Sequence, residues 1–193
     1  MASCGGHRVG PRKDAGVNSI LSQRVQALEA AYRDIARTRM ADMPLLNHAL
    51  QVQAVGFGPC AGAHDFSLGV LVTPWFMNVL RLPLRADEAD RLAMLLPGHT
   101  GERDLGDDRL RFVGAELPAI GRFEQCSLYS PMFEFRDQAS AHATAHEVAR
   151  LLHQGLASAH AAATQAAALA AEVEPARRGF LFGRSASRPA SHG

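Results

Sequence analysis

The sequence is poor in cysteine, and its three cysteines are widely separated. Cys4, Cys60 and Cys126 are an odd number and include no C-x-x-C pair. Disulfide-stabilised domains and structural zinc sites are built from paired, closely spaced cysteines. We therefore expect no disulfide framework, no metal held by cysteine and a reducing environment, which indicates the cytoplasm.

The chain also lacks a charge excess of either sign. Its 20 lysines and arginines against 19 aspartates and glutamates leave a formal net charge of +1 over 193 residues. A protein that binds the phosphate backbone of a nucleic acid carries a clear basic excess or a basic stripe. Nucleic acid is therefore not an expected partner.

No apolar run is long enough to cross a membrane. The most apolar stretch, residues 68–84 (LGVLVTPWFMNVLRLPL), is interrupted by Pro74, Pro83 and the charge of Arg81. A transmembrane helix needs about 20 predominantly apolar residues, and proline disfavours a helix interior. The β-branched residues of the stretch favour strands instead. The N-terminal residues lack the apolar segment of a secretory signal, so we expect no membrane insertion.

Recognisable catalytic motifs are missing as well. The sequence contains no G-x-S-x-G nucleophile elbow, phosphate-binding loop or dinucleotide-binding fingerprint. Cys126 has no local signature of a base that would activate it. His142 and His146 have the i,i+4 spacing of metal ligands, but Ala143 stands where zinc hydrolases have glutamate. We expect no enzyme, while a thiol- or metal-dependent role for these residues stays open.

The pattern of apolar residues predicts two long helices around a group of short strands. One helix begins near Ser19, because apolar residues recur every three or four positions, and it ends before Pro44. A second long helix extends over residues 137–172 and is ended by Pro175. Strands are predicted at residues 52–57, 64–72, 75–82, 110–113 and 121–128, with a short helix at 86–96 and turns at 97–108.

This order of elements predicts the α+β class. We expect an antiparallel sheet of about five short strands, flanked by a long N-terminal helix and a long C-terminal helix. The chain is divided into a flexible N-terminal arm at residues 1–17, a single α+β domain at 18–174 and a basic C-terminal tail at 175–193.

Two segments share one pattern of residue types. LVTPWF, which begins at Leu71, and LYSPMF, which begins at Leu128, both place a hydroxyl residue before proline, a recurrent way for the chain to turn out of a strand. Two such turns would bring together Trp75, Phe76, Met77, Met132, Phe133 and Phe135. These side chains form either part of the core or a partly open apolar patch that binds other proteins.

Four segments in combination resemble a known family. They are MADMPLLNHALQVQAVGF at residues 40–57, GVLVTPWFMNVLRLP at 69–83, CSLYSPMFEFRDQ at 126–138 and RRGFLFG at 177–183. On these motifs the chain is identified as a member of the HybE family of nickel–iron hydrogenase assembly chaperones, also called HupJ or HoxT proteins.

The resemblance implies a cytoplasmic, non-enzymatic assembly chaperone without a cofactor. It would bind a hydrogenase subunit precursor during maturation, before assembly and export. The twin-arginine-exported small subunit is the expected partner, with the large subunit and other maturation proteins as further partners. Some relatives carry a rubredoxin-like domain, but this chain has no C-x-x-C pair for such an iron. The alternative is a maturation factor that uses Cys126 or the histidines His142 and His146.

The two proline motifs and the C-terminal element together give a hypothesis for the partner-binding residues of such a chaperone. The surface is expected to include Trp75, Phe76, Met77, Asn78, Met132, Phe133 and Phe135, together with Arg177, Arg178 and Phe180 of the C-terminal element. Because RRGFL resembles a twin-arginine export motif, that element either imitates the signal peptide of the client or belongs to a solubilising tail.

Overall fold

The computed structural model describes residues 12–60, 63–84, 93–106 and 108–181, and for residues 12–15, 63–64 and 168–181 it describes the backbone alone. The helices and strands of these residues, in chain order, are α1 (Arg12–Thr38), β1 (Gln53–Cys60), β2 (Ala63–Val72), β3 (Met77–Pro83), β4 (Thr100–Leu105), β5 (Asp108–Leu117), β6 (Gly121–Tyr129) and α2 (Gln138–Leu181). Within this part of the chain, neither helix combines the length and the apolar character that a membrane crossing requires.

The strands form one sheet in the order β1-β2-β3-β6-β5-β4, and all neighbours are antiparallel. Because side chains alternate between the two faces of a strand, each central strand contributes to two cores. Leu71 and Leu80 share one apolar cluster with Leu28 of α1. Val70 and Val79 belong to a second cluster, with the buried alanines of α2. The predicted α+β class is confirmed, with six strands instead of about five.

Helix α1 carries the apolar stripe that the sequence predicts, with Leu21, Leu28 and Tyr32 buried. Arg24 fixes the helix to the sheet, because its guanidinium donates to the carbonyl oxygens of Pro83 and Ile120 at 3.1 and 2.7 Å. The helix begins at Arg12, so the predicted start at Ser19 is wrong. Once a helix is nucleated, each further residue adds a hydrogen bond, and residues 12–17 of the predicted arm therefore join α1. Residues 1–11 lie outside the description.

Strand β4 occupies a segment that was predicted to consist of turns. It pairs with β5 from Thr100 opposite Val113 to Leu105 opposite Asp108 and forms one edge of the sheet. The prediction failed because edge strands tolerate charged and polar residues, and TGERDL shows no clear apolar alternation. Of the predicted short helix at 86–96, residues 86–92 lie outside the description, and 93–96 are not helical.

Helix α2 packs on the sheet through small side chains. Ala141, Ala145 and Ala149, spaced about one turn apart, are buried. The approach is close, because a Cβ added to Gly56 of β1 would stand 2.5 Å from the Cβ of Ala149. Beyond Leu156, the side chains of residues 157–167 are all exposed, so this part of the helix extends away from the sheet.

Helix α2 also continues past the proline that was expected to end it. It extends through Pro175 to Leu181, so the predicted end near residue 172 is wrong. An interior proline removes one backbone hydrogen bond, but the alanine-rich run before it has the strongest intrinsic preference for helix. The division of the chain into arm, domain and tail at residues 17 and 174 remains a prediction.

The turn between β4 and β5 touches α2 through two glycines. Gly106 has a φ of +79°, and a Cβ added to it would stand 2.5 Å from the carbonyl carbon of Gly155. Gly121, the first residue of β6, has a similar φ of +72° but nothing within 4 Å of an added Cβ. Both glycines therefore have a left-handed backbone, but only Gly106 lacks room for a side chain.

Replacing Gly106 with alanine is expected to lower the free energy of unfolding by about 2–3 kcal/mol. Left-handed backbone strain contributes about 1 kcal/mol, and displacement of α2 contributes the rest. The matched variant Gly121→Ala carries the strain alone and should lose only about 1 kcal/mol. Urea unfolding of both variants measures the difference, and equal losses would contradict the contact with Gly155.

A buried carboxylate organises the second half of the sheet. Glu124 of β6 has no exposed side-chain area, and it accepts hydrogen bonds from Arg81 at 3.1 Å, from Arg103 Nε at 3.0 Å and from the Leu95 N–H at 3.0 Å. The guanidinium of Arg81 also lies 3.7 Å from the ring centre of Phe66. Burial raises the pKa of Glu124, but the bonds from Arg103 and Leu95 and the charge of Arg81 outweigh it, so the pKa lies below its usual value.

Side chains of both helices cover the edge strand β1. The N–H of Ala54 donates to Glu29 Oε1 of α1 at 2.8 Å. Nε2 of His153, on α2, lies 3.0 Å from the carbonyl oxygen of Gly56. An uncovered strand edge pairs readily with other chains, so these bonds remove pairing sites from β1.

Candidate functional site

The first proline turn, residues 73–76, is built around the hydroxyl of Thr73. Its Oγ1 accepts hydrogen bonds from the N–H groups of Trp75 and Phe76 at 3.3 and 2.9 Å. The Thr73 N–H donates to the carbonyl oxygen of Phe76 at 2.8 Å. The predicted exit from a strand through a hydroxyl–proline pair is confirmed, since β2 ends at Val72 and β3 starts at Met77.

The second proline turn, residues 130–135, follows β6 and touches the first. Ser130 Oγ donates to the carbonyl oxygen of Trp75 at 3.3 Å. Within the turn, the N–H of Phe135 donates to the carbonyl oxygen of Met132 at 3.2 Å. The two turns that share a sequence pattern therefore lie side by side at one end of the sheet.

Asn47 joins the two turns. Its N–H donates to the carbonyl oxygen of Pro74 at 2.8 Å. Its Nδ2 donates to the carbonyl oxygens of Met132 and Phe135 at 3.0 and 2.7 Å, and its Oδ1 accepts from the N–H of Ala49 at 3.0 Å. The backbone N–H and the side-chain amide of Asn47 thus connect its own segment to both turns. We call Asn47 and the two turns the proline corner.

Sequence reasoning missed the role of Asn47. The available signal was a single amide in the apolar run LLNHAL. A buried or half-buried amide finds hydrogen-bond partners in most structures, but its partners here lie 85 and 88 positions further along the chain. Spacing within the sequence therefore gives no information about them.

Of the six large side chains expected at one patch, five are divided between two clusters, and the sixth, Phe133, belongs to neither. Trp75 and Phe76 pack on the α1 side of the sheet with Tyr32, at ring-centre distances of 6.5 and 5.7 Å. Met77 and Met132 are buried in the α2-side core with Phe135, whose ring contacts Tyr129. The prediction of a single patch is therefore wrong. After the first proline turn, Met77 faces the opposite side of the sheet from Trp75 and Phe76.

The apolar surface of the corner is smaller than expected and is centred on Phe133. Its side chain is 57% exposed, whereas Met132 beside it is 0% exposed. Trp75 and Phe76 are half-buried. Leu45, two residues before Asn47, is also largely exposed. The corner thus presents one free aromatic ring and two partly covered ones to the solvent.

Asn78 lies under the corner and is buried. Its Nδ2 donates to Gln125 Oε1 at 3.2 Å, and its Oδ1 has no hydrogen-bond partner among the described residues. Together with Met77, Met132 and Phe135, it supports the corner from inside. A partner would reach these four side chains only after a rearrangement.

The C-terminal candidates belong to a different part of the molecule. Arg177, Arg178 and Phe180 lie in the last turns of α2, and their side chains are outside the description. Helix α2 starts at Gln138, next to the second proline turn. These residues and the proline corner are therefore at opposite ends of one helix.

The residues of the alternative function are not arranged as a reactive site. Cys126 is half-buried, and burial raises the pKa of its thiol, which is opposite to the shift of a nucleophilic cysteine. The rings of His142 and His146 are stacked with their centres 6.2 Å apart. Among the described side chains, no group of three or more His, Cys, Asp or Glu is placed to hold a metal ion.

Comparisons with known proteins identify similar sequences and one similar fold. Residues 23–183 match the family described as NiFe-hydrogenase assembly, chaperone, HybE. Protein HoxT of Cupriavidus necator is 48% identical over 168 residues, which are 83% of this chain and 89% of that protein. The hydrogenase expression/formation protein HupJ of Bradyrhizobium diazoefficiens is 42% identical over 118 residues, 61% of this chain and 64% of that protein.

The solution structure of HybE from Escherichia coli resembles this fold. The match has a TM-score of 0.50 and covers 68% of this chain and 77% of that one, at 21% sequence identity. At this level of identity the likeness concerns the arrangement of helices and strands.

Proposed function

This chain belongs to the HybE family of NiFe-hydrogenase assembly chaperones, and from that premise we propose that it binds the precursor of a hydrogenase subunit at the proline corner. The client is the small subunit, before its export through the twin-arginine pathway, and binding takes place in the cytoplasm. The chaperone performs no chemical step. It covers apolar surface of the client until the subunits assemble, and other maturation proteins are its further partners.

The observation that carries this proposal is the exposure of Phe133 within a rigid frame. A free aromatic ring on a hydrogen-bonded turn loses little conformational entropy when a partner covers it. Burial of apolar area contributes about 25 cal/mol per Å², and aromatic side chains dominate protein–protein contacts. Trp75 and Phe76, half-buried beside the ring, extend the surface.

The C-terminal element has a separate role in the proposal. Arg177, Arg178 and Phe180 imitate the twin-arginine motif and bind a partner's signal-peptide site, as a pseudo-ligand. Their place near the end of α2 supports this, because the side chains of residues 157–167 before them are all exposed and the helix has left the sheet there. The full chain should then compete with a signal peptide for binding to that partner, whereas a chain without residues 176–193 should not. Equal competition by the two chains would contradict the pseudo-ligand.

Replacing Phe133 with aspartate is expected to weaken binding of the small-subunit precursor at least tenfold. The carboxylate removes the apolar contact and would be desolvated in the complex. The residue is exposed, so the free energy of unfolding should change by less than about 0.5 kcal/mol. Titration of the purified chain against fluorescently labelled precursor measures the affinity.

Leu151→Asp is the matched control. Leu151 is 53% exposed, similar to Phe133 at 57%, but it lies on α2 away from the corner. Precursor affinity should stay at the level of the unmodified chain. Equal affinities of Phe133→Asp and the unmodified chain would show that the corner is not the binding surface.

A further inference from the structure

A groove beside the first proline turn has the form of a second contact site. It has a volume of about 300 Å³ and lies between α1 and the residues that lead into β1. Its apolar lining comprises Ala36, Leu50, Val52 and Pro74. A cavity of this size is at the lower end of ligand sites and has room for one large apolar side chain.

The rim of the groove is basic. Arg33 and Arg37 border it, and each is paired within its own helix, to Glu29 at 2.6 Å and to Asp34 at 3.4 Å. The two guanidinium side chains are 52% and 76% exposed. Asp34 is 65% exposed, so both members of the Arg37–Asp34 pair are open to solvent, whereas Glu29 is only 19% exposed. Exposed pairs contribute little to stability, so Arg37 can exchange its partner for the carboxylate of a bound protein.

The main chain next to the groove is not available for strand addition. The N–H of Gln51 donates to Gln138 Oε1 at 2.8 Å, and the N–H of Ala54 donates to Glu29 Oε1 at 2.8 Å. A client that adds a strand needs free N–H and C=O groups on the edge. The groove is therefore suited to side chains of the client and not to its backbone.

We propose that this groove binds an acidic segment of the client, with one large apolar side chain inside it and a neighbouring carboxylate paired with Arg37. The inference rests on the proposed function and specifies its partner. Pro74 belongs to both sites, since it lines the groove and its carbonyl oxygen is held by Asn47. A basic rim repels arginine, so the segment bound here is not the arginine pair of an export signal.

The test uses the full chain and two fluorescein-labelled peptides, one with the core Asp-Leu-Phe-Asp and one with the core Asn-Leu-Phe-Asn. Fluorescence anisotropy should give at least tenfold tighter binding of the acidic peptide, with a difference that decreases as salt is added. Arg37→Glu should abolish the preference for the acidic peptide. Ala36→Phe, which fills the groove, should weaken the binding of both peptides. Arg150→Glu is the control, because Arg150 is also a solvent-accessible arginine, 41% exposed, and is likewise paired three residues away on its helix, with Glu147.

Equal affinity for the two peptides, or a preference that survives Arg37→Glu, would overturn the inference. Arg37 is exposed, so this variant remains informative even where Ala36→Phe perturbs the fold. Precursor binding separates the two proposals. Its loss in Phe133→Asp with full retention in both groove variants would reject the groove alone, whereas its retention in Phe133→Asp would reject the proposed function.

Discussion

Replacing Glu124 with glutamine is expected to lower the free energy of unfolding at pH 7 by about 3–5 kcal/mol, the cost of breaking a buried ion pair from one side. Arg81 and Arg103 would face a neutral amide, and that amide can satisfy fewer donors than the carboxylate does. Urea unfolding of Glu124→Gln and of the unmodified chain measures the loss. Glu102→Gln is the control, since this carboxylate is 53% exposed and pairs with Arg109 at 3.6 Å, and it should cost less than about 1 kcal/mol.

The carboxylate of Glu124 also predicts how the free energy of unfolding changes in acid. The pKa of Glu124 is lower in the folded chain than in the unfolded one, so the unfolded chain binds the proton more readily. The contribution of Glu124 to stability is therefore complete above its unfolded pKa and is lost as the pH falls through its folded pKa. The difference in stability between the unmodified chain and Glu124→Gln should decrease in acid, and a difference that grows on acidification would contradict the assigned pKa direction.

Replacing Asn47 with aspartate is expected to abolish measurable binding of the precursor, a loss of about 100-fold or more, and to destabilise the fold by about 3 kcal/mol. The change is isosteric, but it removes both Nδ2 donors and places a carboxylate against the carbonyl oxygens of Met132 and Phe135. Unpaired and repelling groups of this kind each cost about 1–3 kcal/mol. The second proline turn should separate from the first, so Phe133 loses its fixed position.

Two measurements distinguish positioning from general instability. His48→Ala alters the exposed neighbour of Asn47 and should keep both affinity and stability. Precursor binding by Asn47→Asp is then measured at a low temperature where circular dichroism shows a folded chain. Full affinity under that condition would show that the frame is not needed to present Phe133.

The sequence predicts those parts of the fold that depend on local patterns. The stripe through Leu21, Leu28 and Tyr32 is a property of one helix, and the hydroxyl–proline turn at Thr73 is made by hydrogen bonds within four residues. Both are therefore visible from spacing. Strand β4 was not predictable in this way, because it is held by its pairing with β5 and its own residues are typical of a loop.

The candidate site depends on contacts between distant segments, and it was predicted less well. The aromatic and methionine residues were identified from the sequence, but which of them face solvent depends on the face that each segment presents after its turn. Met132 and Phe133 are adjacent in the sequence, and both are large and apolar. Met132 is nevertheless buried, whereas Phe133 is 57% exposed. The hydrogen bonds of Asn47 and Ser130, which connect segments that are distant in the sequence, hold the turns in this arrangement.

The length of α2 sets the distance between the proline corner at its start and the arginines at its end. The 44 residues from Gln138 to Leu181 rise by roughly 65 Å along the axis at 1.5 Å per residue. The arginines at positions 177 and 178 cannot fold back onto the proline corner of the same molecule while that rod is intact. A signal-peptide site bound by these arginines, as proposed, would therefore lie at a distance from the proline corner, and one copy of the chain would have the reach to contact two macromolecules at once.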